Sequence, residues 1–139
     1  MRGIVSQDIL ILAGRILLSL IFVVSAIGKT ADWCGTAGYM ASKRMVAIPF
    51  FLPMAILVEA TGGLAVLTGL KARWGAMALF LFLIPVTMIF LDFLSAADAE
   101  KQLQTIQFMK NLAIMGGLLT VAAFGPGRFS VGAGRREGK

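Results

Sequence analysis

Four long apolar runs set the rhythm of this chain, and polar or glycine- and proline-marked connectors part them. The pattern predicts helical spans over residues 9–28, 50–70, 74–94 and 107–124. Each approaches the ~20 residues that a helix needs to cross ~30 Å of hydrocarbon. The first run carries an internal Arg15 and no clear small-x-small site before Lys29, which argues for a span over a cleavable signal. Residues 30–47 form a connector in which Trp33 and Tyr39 suit headgroup depth, and a short surface helix is expected over 37–46.

The turn Lys71-Ala72-Arg73 is so short that the helices it joins must be antiparallel neighbours. Pro49 and Pro53 sit where the second span begins, and Pro85 is expected to kink the third. A polar connector is expected over 95–107, and Gly125-Pro126-Gly127 stops the last run. The fold class is therefore all-α membrane, an antiparallel four-transmembrane-helix bundle occupying residues 1–127. Residues 128–139 form a basic, glycine-rich tail expected to be flexible or to rest on anionic lipid.

Composition agrees, since 58% of the 139 residues are hydrophobic and only 14% are charged. A net charge of +6 would suggest nucleic acid in a soluble protein, but here the bases flank apolar runs, so membrane lipids are the expected partner and nucleic acid is not. With the N terminus inside, seven bases fall on the inner side (Arg2, Lys71, Arg73, Arg128, Arg135, Arg136, Lys139) and four on the outer (Lys29, Lys43, Arg44, Lys101). The positive-inside rule then makes both termini cytoplasmic. The single cysteine, Cys34, excludes an internal disulfide or a cysteine cluster, and the lack of histidine removes the common zinc and haem ligand sets; no metal site is expected.

The candidate chemistry lies in charges within the spans. Glu59 stands at the middle of the second run, where an unpartnered carboxylate costs roughly 2.5–3.5 kcal/mol on insertion scales. Counting ~1.5 Å per residue puts Glu59 within a few Å of the midplane, Arg15 ~5 Å to the inner side of the midplane and Lys110 ~7 Å to the outer side. Either cation is in reach if the helices pack suitably. Lys29 and Asp92 lie near the outer rim and form a candidate second pair. Ser19 shares a face with Arg15, while Gln107, Lys110, Asn111 and Ile114 follow a helical stripe on the fourth span.

Two readings stay open. Glu59, Arg15 and Lys110 either form a salt-bridge network that only fixes helix docking, or line a polar cavity with Asn111, Gln107 and Ser19. Such a cavity suits a carbonyl- or hydroxyl-bearing ligand on an apolar frame, such as a quinone, with Glu59 holding or exchanging a proton. The pairs Gly62-Gly63 and Gly116-Gly117 lie inside spans and read as helix-packing sites, not phosphate loops.

Several stretches together resemble the DoxX-like family of small bacterial membrane proteins. They are Gly14-Arg15, residues 25–29 (SAIGK), 35–42 (GTAGYMAS), Glu59 with Gly62-Gly63, 108–112 (FMKNL) followed by Gly116-Gly117, and 124–130 (FGPGRFS). The resemblance implies a four-helix, multi-pass inner-membrane protein, with Arg15, Lys29, Glu59, Lys110 and Asn111 on the family's polar motif positions. It also implies a link to quinone-dependent redox chemistry, some relatives being subunits of quinone-linked oxidoreductases. Many relatives carry a histidine after a phenylalanine near the end of the third span. Here Phe90 is followed by Leu91 and Asp92, so Asp92 substitutes or that step is absent.

The expected function is binding of a quinone or similar lipophilic molecule inside the bundle, without a covalently held cofactor. The alternatives are a scaffold or accessory subunit that docks a redox enzyme or forms homo-oligomers, and a small carrier of hydrophobic solutes, which would need a dimer to build its pathway.

Overall fold

The computed structural model describes residues 2–90 and 97–131. Five helices follow in order: α1 (Arg2–Ala31), α2 (Trp33–Ser42), α3 (Ile48–Thr68), α4 (Ala72–Phe90) and α5 (Asp98–Phe124). Four of them, all but α2, are long and apolar enough to cross a membrane. They pack in sequence as an antiparallel bundle, α1 on α3, α3 on α4 and α4 on α5. The start of α1, the α3–α4 turn and the end of α5 meet at one end, where Asp8 Oδ1 accepts from the Arg128 backbone N–H.

Three helix boundaries depart from the sequence expectation, each for a local reason. The surface helix begins at Trp33 because Asp32 caps it, its carboxylate accepting from the Gly35 N–H at 3.0 Å. The expected polar connector over 95–107 is helical from Asp98 onward. Asp98 and Glu100 complement the positive dipole end of α5, and the Ala, Gln, Lys and Leu that follow favour helix. Helix α1 runs from Arg2 rather than from near residue 9. Asp92 and residues 132–139 of the expected tail lie outside the described residues.

Close approach between α3 and α4 rests on two glycines. A β-carbon on Gly75 would meet Ala65 Cβ at 2.7 Å, and one on Gly62 would meet the Leu79 side chain at 2.7 Å. Without a hydrophobic driving force inside lipid, this backbone-to-backbone proximity supplies dispersion contact that larger residues would block. Phe22, Val66, Leu79 and Leu118 fill the interior around it. Outward-facing Leu10, Leu17, Leu57 and Met88 are each more than half exposed, the lipid-contacting surface of a bundle that spans a bilayer.

Candidate functional site

The carboxylate at the centre of the chain meets a lysine of α1. Lys29 Nζ lies 3.0 Å from Glu59 Oε1 and 2.8 Å from Oε2, and it also donates to Ser25 Oγ, one turn earlier on the same helix face. Glu59 is 6% exposed. The ion pair forms one end of a half-open cavity of about 630 Å³ bordered by α1 to α4 and the loop before α3. Its walls are apolar, with Phe51 and Leu52 from α3 and Phe82 and Val86 from α4, while Lys43 and Arg44 stand at the opposite end. Tyr39 of α2 stacks on Phe90 of α4 with ring centroids 5.5 Å apart, and Lys43 sits over the Tyr39 ring. Helix α2 therefore covers the cavity through an aromatic contact with the end of α4.

Arg15 does not meet Glu59. Its guanidinium, 1% exposed, is enclosed by backbone carbonyls. Nε donates to Val66 O at 2.9 Å and Nη2 to Leu67 O at 2.7 Å; Nη1 donates to Pro126 O at 2.7 Å and to Phe129 O at 2.8 Å. The last turn of a helix leaves carbonyls without partners, and a cation there also complements the dipole. In α3 each of these carbonyls is taken: Ala65 O by Gly69 N–H, Val66 O and Leu67 O by Arg15, and Thr68 O by Val131 N–H. Gly69 makes the turn possible with φ +81°, a left-handed conformation that side chains resist.

The remaining candidates fall elsewhere. Ser19 is fully buried near Arg15 and donates to Ile16 O at 3.1 Å within its own helix. Asn111 Nδ2 donates to Thr87 Oγ1 at 3.0 Å, tying α5 to α4. Lys110 and Gln107 lie on the exposed face of α5. None of these residues lines the cavity beside Glu59. The expected convergence of Arg15 and Lys110 on Glu59 is thus replaced by Lys29, and the expected Lys29–Asp92 pair falls on a residue outside the described ones.

The physical reason is depth. Arg15 sits beside Val66 and Leu67, seven to eight residues past Glu59, or ~11 Å along α3. Lys29, fourteen residues further along α1, reaches Glu59 Oε2 at 2.8 Å instead. Ser25 was the available signal, since a hydroxyl one turn before a lysine marks the polar face of α1. The aromatic contact of Tyr39 with Phe90 joins residues distant in sequence and left no local mark.

A bundle of membrane-crossing helices with a paired carboxylate at one end of an apolar cavity defines a small integral membrane protein with an internal pocket. The DoxX family profile matches residues 10–92. The chain is 37% identical to the inner membrane protein YqjF of Escherichia coli K12 over 125 residues, covering 90% of this chain and 91% of that protein. It is 25% identical to the inner membrane protein YphA of the same strain over 126 residues, covering 91% and 90% respectively. The chain belongs to the DoxX family and is an integral inner-membrane protein. No solved structure matches it significantly.

Proposed function

We propose that this protein binds a quinone or a similar lipophilic molecule with a carbonyl or hydroxyl end in the cavity between α1 and α4. The observation that carries this reading is the Lys29–Glu59 pair at one end of an apolar cavity of about 630 Å³. Two charges withdrawn from water gain little by attracting each other, because desolvation offsets most of the attraction. A polar ligand end placed against them is well served. Lys29, releasing its bond to Ser25, donates to a carbonyl oxygen, Glu59 accepts from a hydroxyl and provides a site for an exchangeable proton, and the aromatic and aliphatic walls hold the ring or chain. Electrons would come from outside the chain, which fits an accessory role beside a membrane redox enzyme. The end carrying both termini faces the cytoplasm in this reading, because its turn and tail hold most of the bases outside the spans.

Titration of the purified protein with decylubiquinone, followed by equilibrium binding in detergent micelles, tests the reading. Saturable binding is expected, weakened about ten-fold or more by Glu59→Gln, which keeps the shape and removes the charge. Absence of saturable binding by the wild type, or equal affinity in a folded Glu59→Gln variant, would sink the proposal.

A further inference from the structure

A second cavity, about 690 Å³ in volume, lies between α1 and α5 on the lipid-facing side of the bundle, away from Glu59. The two helices touch only sparsely here: a β-carbon on Gly117 of α5 would meet Leu18 of α1 at 3.2 Å, while small Gly14 and Ala113 leave space beside that contact. A β-carbon on Gly14 would meet nothing within 4 Å. Along α1 the groove runs from Leu10 to Ile21, ~17 Å, and along α5 from Ala113 to Gly125, ~18 Å. That is about the depth of one leaflet, half of the ~30 Å hydrocarbon layer. A transmembrane helix from another copy would need the full thickness, whereas one acyl chain needs half.

Charge marks the membrane-surface end of the groove. Gly125 lines it there, and the Arg73 Nε lies 3.0 Å from the position a Gly125 β-carbon would take. Arg73 and Arg128 are exposed, and among the described residues no carboxylate is ion-paired with either. The nearby Asp8 carboxylate is engaged by the Arg128 backbone N–H at 3.4 Å. We infer that this groove is a binding site for one anionic glycerophospholipid, an acyl chain lying between α1 and α5 and the phosphate reaching Arg73. An apolar channel one leaflet deep with a guanidinium at its rim matches both halves of such a lipid.

Native mass spectrometry of the whole protein, titrated separately with dioleoylphosphatidylglycerol and dioleoylphosphatidylcholine, tests this inference, because the two lipids share chains and differ in headgroup charge. One phosphatidylglycerol is expected to survive activation that strips further lipid, and phosphatidylcholine is expected to be retained less. Arg73→Gln, at an exposed position, should lower phosphatidylglycerol retention roughly five-fold, the worth of one basic residue at a membrane surface. Gly14→Phe, filling open space, should abolish retention, and Thr120→Phe on the facing wall makes the same test if that variant does not fold. Equal retention of the two lipids, or unchanged phosphatidylglycerol retention in a folded groove-filling variant, overturns the inference. So does a dimer that disappears on filling the groove, since a second copy would then be the occupant. Quinone binding in the other cavity should be unaltered by these variants, so the two proposals fail separately.

Discussion

Helix α1 carries two cations into the membrane, and the fold treats them in opposite ways. Arg15 is sealed at one end of the bundle, its fork matched to four carbonyls from two separate segments. Lys29 pairs directly with a carboxylate at the edge of a cavity, and 26% of its side chain stays exposed. Four of the five guanidinium N–H donors are held by backbone carbonyls in a buried site, so the first arrangement holds structure together. In the second, the three Lys29 donors go to Ser25 and Glu59, side chains that can exchange partners, and the carboxylate keeps spare lone pairs beside an open volume, which is what a binding site needs. The choice of residue follows, since the planar guanidinium suits fixed multiple acceptors and the flexible ammonium suits a partner that changes.

The largest expected effect is at the sealed end. Arg15→Met would strand four carbonyls where water is scarce, and the bundle should lose about 3–5 kcal/mol in a reversible unfolding titration in mixed micelles. Arg15→Lys should recover only part of that, because one ammonium cannot span two segments as a fork does.

Lys29→Met leaves Glu59 without its partner, but the open cavity admits some solvation, so the expected loss is smaller, about 1–2 kcal/mol. Adding Glu59→Gln to it should restore most of the stability while leaving decylubiquinone binding impaired. If Lys29→Met proves as damaging as Arg15→Met, the contrast between the two cations collapses. The smallest effect sets the scale for both. Thr87→Val removes the neutral hydrogen bond to Asn111 and should cost about 0.6 kcal/mol, typical of side-chain hydrogen bonds between membrane helices.

The spans were legible from the sequence because lipid enforces long apolar runs, and the Lys71-Ala72-Arg73 turn fixed which helices are neighbours. Glu59 was legible as a buried group needing a partner, since a lone carboxylate at that depth is expensive. Its partner was not. Several cations lay within plausible reach, but Arg15 and Lys29 stand ~21 Å apart along α1, and a ruler laid along each helix separately does not see how far α1 is displaced against α3. The carbonyl socket escaped for another reason, because backbone acceptors leave no trace in residue identity. The cover formed by Tyr39 and Phe90 depends on how α2 lies across the bundle, which periodicity within a ten-residue helix does not encode.

The Arg15 socket also bears on the order in which the protein is made. Pro126 and Phe129, which supply two of its four acceptors, leave the ribosome 111 and 114 residues after the arginine itself. Until then a guanidinium already threaded into the bilayer lacks half of its final ligands, and α1 must wait in a provisional state while the remaining helices are inserted. A segment translated after all four spans is therefore what locks the first of them, and a chain cut short before Pro126 would emerge with that lock unclosed.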